Sequence, residues 1–230
     1  MFKRIFAMIV AVFLIVAHPV SATANNGDNT ALLPAAFVED AVLSVMPINE
    51  GCFEISLSKT EPIGTATIMA SDEATYRHSV LMFVAESASE KEEILSRINL
   101  ARRGGGTIYE DDTFFGNSCY IYISVTYTTR PSSIGTEARM SSVSTQYSVN
   151  SGTYVSAANL HLECLGTSST AGAVFYEHDI AVTSSSYTTT YPSAWPYIYT
   201  GSPHLGAHFE VTATRASGES QTRTVGASVF

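Results

Sequence analysis

Apolar and polar positions alternate along most of the chain, with the period of two that places successive side chains on opposite faces of a strand. The clearest instance is 119–128, where Cys119, Ile121, Ile123, Val125 and Tyr127 fall on one side and Tyr120, Tyr122, Ser124, Thr126 and Thr128 on the other. Such regularity fixes register, because a slip of one residue would turn the apolar row to solvent. Shorter stretches of strand character occupy 52–57, 65–70, 79–85, 144–149, 159–165, 173–182, 207–215 and 221–229. The last two flank Ala216-Ser217-Gly218-Glu219, a hairpin turn with glycine where a positive φ is needed. Residues 37–46 are mixed in pattern. The Ser/Gly-rich stretch from Arg130-Pro131 to about Ser141 reads as a linker or long loop.

One segment changes period. Ser89-Glu90-Lys91-Glu92 has the form of a capping box, Ile94, Leu95 and Ile98 have helical spacing, and Arg102, Arg103 and Gly104 mark a C-terminal end. A single short helix over 89–101 is therefore expected, packed across a sheet or covering one end of a sandwich. The fold class that follows is mainly β, an antiparallel β-sandwich or jelly-roll-like body. No repeat recurs at fixed period, which removes solenoids and propellers.

The N-terminus has a different character. Lys3 and Arg4 precede 13 uninterrupted apolar residues, 5–17, and Ala22-Thr23-Ala24 offers the small residues of a cleavage site. That run is short of the roughly 20 residues a spanning helix needs, and His18-Pro19 closes it. Residues 1–24 are expected to be a signal peptide cleaved after Ala24, and 25–230 a secreted, extracellular β-rich domain. The choice between one body and two lobes meeting near 130–141 stays open. No stable membrane insertion is expected after signal removal. The terminal Phe230 could close an outer-membrane barrel strand, but counting back by two gives Ser228, Gly226 and Thr224 where lipid-facing apolar residues would stand.

With Lys3 and Arg4 removed, ten basic residues face 21 acidic ones, a balance of −11 with His neutral. No nucleic-acid partner is expected on that ground, since phosphate binding needs a basic face. Charged residues make up only 14% of the chain, and the abundance of Ser, Thr and Tyr suits half-buried strands. Three cysteines, Cys52, Cys119 and Cys164, allow one disulfide in three pairings, or none with all three as buried small hydrophobes.

Several clusters could carry chemistry. Even spacing on a strand puts His208 and Glu210 on one face, and a paired strand could bring His161 and Glu163 opposite; His204 shares the phase of His208. His161, His208 and Glu210 are accordingly the candidate metal ligands, a set suited to zinc, copper or non-haem iron, although the same spacing also fits a solvated polar row. Glu177 and Asp179 share a face around His178, as a general acid/base pair or a solvated edge. Glu110, Asp111, Asp112 and Asn117 offer oxygen ligands for Ca²⁺ or form a plain acidic turn. Ser56-Leu57-Ser58-Lys59 matches an acyl-transfer motif only in letters, on a strand where such enzymes use a helix start. Gly104-Gly105-Gly106 lacks the Lys-Ser/Thr of a phosphate loop.

The aromatic run Tyr187, Tyr191, Trp195, Tyr197 and Tyr199 is interleaved with prolines. Tyr191, Trp195, Tyr197 and Tyr199 form the candidate ligand face, since exposed aromatic rings stack on sugars; the alternative is a plug for the core. From Tyr191 on, the texture Tyr-Pro-Ser-Ala-Trp-Pro-Tyr followed by 206–215 resembles the ends of small uncharacterised secreted proteins of Gram-positive bacteria, over about the last 40 residues. The resemblance implies a secreted β fold and brings no catalytic residue with it. The function expected is a secreted, non-catalytic binding or cell-envelope interaction protein with polysaccharide or a cell-surface component as partner and no required cofactor. A secreted metal-dependent hydrolase is the alternative, and an antagonistic or immunity factor a further one.

Overall fold

Apolar rows on both sides of one sheet organise this fold. The computed structural model describes residues 35–63, 73–102, 119–149 and 152–230. Along them run α1 (Ala35–Glu39), β1 (Val42–Asn49), β2 (Cys52–Pro62), β3 (Ala74–Ala85), α2 (Ala88–Arg102), β4 (Cys119–Ser132), β5 (Gly135–Val149), β6 (Thr153–Ser168), β7 (Gly172–Ala181), β8 (Ser186–Thr190), β9 (Ile198–Tyr199), β10 (His204–Arg215) and β11 (Ser220–Ser228). A larger sheet has the order β1-β2-β3-β4-β5-β8, with β9 also on β5; a smaller one has the order β11-β10-β6-β7. All pairings are antiparallel. The mainly β, antiparallel sandwich expected from the alternation is the fold observed.

The regular row on β4 explains the layering. Ile121, Ile123 and Val125 are fully buried and face the smaller sheet, whose Leu160, Leu162, Leu205 and Phe209 complete one core. Tyr120, from the opposite face of β4, joins a second core with Leu57, Phe83, Ile94 and Ile98 beneath the two helices. β3 is buried on both sides from Ser79 to Ala85, which explains why its sequence is continuously apolar there instead of alternating. Each such side chain withdrawn from water contributes roughly 1.5–3 kcal/mol.

Three local expectations are corrected. The capping box begins two residues earlier: Ser87 Oγ accepts from Glu90 N at 3.1 Å, and Glu90 Oε2 accepts from Glu86 N at 2.7 Å, so α2 starts at Ala88. A second helix, the five-residue α1, ends inside the mixed stretch 37–46, where β1 also begins. The stretch 130–141 is not a loop: β4 and β5 continue through it, paired from Cys119↔Val149 to Ser132↔Gly135, and only Ser133 and Ile134 form the turn. Gly135 holds φ +118° there and gives room to the Tyr199 ring. The strand expected at 65–70, the acidic group at 110–117 and the glycines at 104–106 lie outside the described residues.

Candidate metal centre

On β6 the even-numbered Leu160, Leu162 and Cys164 are fully buried, so Asn159, His161 and Glu163 face outward from the sandwich. On β10 the burial of Leu205, Ala207, Phe209 and Val211 puts His204, Gly206, His208 and Glu210 on that same outer face. Register then assembles the cluster. His208 stands opposite His161, Gly206 opposite Glu163, and His204 opposite Leu165. Beyond β6, Asp179 faces His161 and Glu177 faces Glu163; beyond β10, Gly226 faces His208.

Glu163 is the centre. Its Oε2 lies 3.0 Å from Nε2 of His204 and 3.0 Å from Nε2 of His208, while its Oε1 lies 3.3 Å from Nε2 of His161. The rings of His204 and His208 stack with centroids 5.4 Å apart and planes 13° from parallel. One ligand atom from each of Glu163, His204 and His208 falls within 4.8 Å of the other two. Ligand atoms around a tetrahedral zinc stand about 3.3 Å apart, given bonds of about 2.0–2.1 Å, and the two 3.0 Å approaches to Glu163 Oε2 are close to that spacing. The space exists because two glycines leave it. A Cβ on Gly206 would come within 2.7 Å of His204 Nε2, and one on Gly226 within 2.8 Å of His208 Nδ1.

Electrostatics distinguishes the imidazoles. His161 Nδ1 hydrogen-bonds Asp179 Oδ1, which places the proton on Nδ1 in the neutral ring and leaves the Nε2 lone pair toward Glu163. Burial lowers the His161 pKa, but the Asp179 hydrogen bond and charge, with Glu163, outweigh it and raise the net value. His204 shifts the other way: burial, assisted by repulsion from His208 and His161, outweighs the attraction of Glu163 and lowers its pKa. Its Nε2 is shut off from solvent and makes no aligned hydrogen bond, although Glu163 Oε2 is 3.0 Å away. A neutral imidazole with a buried, unengaged nitrogen facing a carboxylate is a donor set for a cation.

Of the ligands expected from sequence, His161 and His208 are brought together. Glu210 is exposed and one residue pair removed, opposite Asn159 and Thr224, and Glu163 with His204 takes the place assigned to it. The aromatic run is dispersed. Tyr191 is 4% exposed, sits in the inter-sheet core, and its hydroxyl donates to the Glu163 carbonyl at 2.6 Å. Trp195 meets Tyr191 edge-on at 4.7 Å and stacks on Tyr176 at 5.6 Å. Tyr197 lies under the guanidinium groups of Arg130 and Arg139, and Tyr199 is exposed beside Gly135 and Gly201.

Nucleophilic catalysis gains little support from the described residues. Cys52 and Cys164 are free thiols, and burial pushes the Cys164 thiol up to about 11, well away from the thiolate that attack requires. Ser56, Ser58 and Lys59 lie within β2, as the strand pattern indicates. Comparison with protein-family models, with curated proteins and with solved structures gave no match.

Proposed function

We propose that this protein is a secreted β-sandwich that captures a divalent transition-metal ion through Glu163, His204 and His208 on the outer face of its smaller sheet. The observation that carries this reading is the approach of two imidazole Nε2 atoms to one carboxylate oxygen, each at 3.0 Å, in a pocket opened by glycine. A mixed nitrogen and oxygen set favours zinc, copper, nickel or iron over the oxygen-seeking Ca²⁺ and Mg²⁺. Export rests on the basic, apolar and small-residue order of the first 24 residues.

The face stays open. The His208 side chain is 41% exposed, so an ion held there keeps positions for water or for an oxygen ligand from a partner. The non-catalytic binding role thereby acquires a contact point, the ion itself, for polysaccharide hydroxyl or carboxylate groups. Two His and one carboxylate with an open position also form a ligand set used by catalytic zinc, which keeps metal-dependent hydrolysis as the second reading.

Untagged protein recovered from culture medium should begin at Asn25 and bind Zn²⁺ or Co²⁺ in a calorimetric titration. Replacing His204 and His208 together with Ala should weaken that binding by about 100-fold or more, beyond the loss typical of outer-shell changes. Unaltered affinity in the double variant would remove the proposed site.

A further inference from the structure

Glu163 has a second oxygen, and it faces a second set of ligands. Oε1 is directed to His161 Nε2 at 3.3 Å, away from the His204 and His208 pair that share Oε2. Glu177, paired with Glu163 across the β6–β7 ladder, brings its carboxylate to the same side. One ligand atom from each of His161, Glu163 and Glu177 lies within 4.8 Å of the other two, forming a group that overlaps the first only in Glu163.

We propose that Glu163 bridges two divalent transition-metal ions, one bound by His204 and His208 and the other by His161 and Glu177. The inference rests on the metal reading above and extends it from one ion to a coupled pair. A carboxylate that gives one oxygen to each of two ions is compatible with the separation of about 3.5–4 Å found in two-metal sites. Asp179 completes the second position: by holding Nδ1 of His161 it aims Nε2 at Oε1, the carboxylate–histidine–metal relay that orients ligands from behind. Here all three Nε2 atoms face Glu163, two on one oxygen and one on the other, while Asp179 engages only Nδ1 of His161. Charge points the same way, because Glu163, Glu177 and Asp179 place three carboxylates around positions for two dications.

The decisive measurement is stoichiometry, on untagged protein equilibrated with Zn²⁺ alone and assayed by elemental analysis. Wild type should hold two ions per chain, and the His161→Ala/Glu177→Ala variant one. Glu177 is exposed on an edge strand, so the Glu177→Ala single variant, checked for retained fold by circular dichroism, gives a second route to the same loss. One ion in wild type and one in the variant would overturn the bridged pair while leaving the mononuclear site standing. Two in both would place the second ion elsewhere and also overturn it; none in any form would remove both readings. Cu²⁺ supplies an independent readout. Filling the second position should reduce the electron-spin intensity per copper through coupling across Glu163, whereas a signal that merely doubles would show that no bridge exists.

Discussion

At the level of single residues, two positions that bear no functional group decide whether the cluster can form. Glycine is needed at 206 and 226 because the imidazole rings fold over those backbones instead of standing out to solvent. The two differ in what a methyl group would strike. At Gly206 it would meet the Ala227 carbonyl oxygen at 2.9 Å as well as the His204 ring, so the ladder itself would shift. At Gly226 it would meet only the His208 ring at close range, with the nearest backbone atom at 3.9 Å. Gly226→Ala is therefore expected to swing His208 out of the cluster and weaken Zn²⁺ binding by about 10–100-fold, the scale at which misorienting a ligand acts. Its thermal midpoint without metal should stay close to wild type. Calorimetric titration and a melting curve check both halves, and wild-type affinity in Gly226→Ala would show that the His208 orientation does not matter.

Among the elements, α2 offers a pH-dependent test of its own cap. Glu90 accepts from Glu86 N through Oε2, but its Oε1 is buried without a hydrogen-bond partner. Burial, with repulsion from Glu86 and Glu93, raises its pKa above the ordinary 4.5, against the Glu86 backbone hydrogen bond and the charge of Arg215. Because the folded state holds this proton more tightly than the unfolded one, the group favours folding most in acid and progressively less as pH rises through its unfolded and then its folded pKa. Glutamine retains the acceptor that caps the helix and carries no charge to bury. Glu90→Gln should gain a few tenths of a kcal/mol at pH 7, after allowance for partial exposure, and nothing once wild-type Glu90 is protonated. Denaturant midpoints at pH 7 and pH 3.5 measure it, and an equal gain at both would point to packing instead of charge. The same helix shows what was legible beforehand. Ile94 and Ile98 announced it by spacing and its start was expected within one residue, yet the true cap, Ser87 with Glu90, competed with a nearby Ser and Glu of the same chemistry, so the capping pair was misassigned. In the strands, alternation identified the buried faces of β4, β6 and β10. Periodicity could not say which outward residue of β6 meets which of β10, and register alone moved the carboxylate from Glu210 to Glu163. The stretch 130–141 misled for a related reason: its Ser and Gly content signals turns, but long pairing with β4 carries β5 through all but two residues of it.

Across the whole molecule, the question is whether an ion on one sheet face can stabilise layers it does not touch. β3 and β4 contribute to both cores, through Met82 and Ile123 on the side of the smaller sheet and through Phe83 and Tyr120 beneath the helices. Neither core can be lost without exposing half of a strand that the other requires, so the described layers should unfold together. Trp195, the chain's single tryptophan, packs against the inter-sheet core, while Ile94 and Ile98 place α2 in the other. An ion held by Glu163, His204 and His208 joins β6 to β10 and binds the unfolded chain weakly, so it stabilises by mass action. At a free Zn²⁺ concentration about 100 times Kd the gain is roughly 2.7 kcal/mol. For a chain of this size that corresponds to a midpoint rise of about 5–10 °C. Tryptophan fluorescence and helical circular dichroism should show the same rise and remain coincident, as a single cooperative transition requires. The rise should shrink in His204→Ala/His208→Ala, which keeps only the His161 and Glu177 position, and be absent with Mg²⁺ at equal concentration, whose preference is for oxygen ligands in octahedral geometry. If Zn²⁺ shifts the fluorescence transition alone, the two cores are energetically separate; if it shifts the double variant equally, the ion is bound somewhere other than around Glu163.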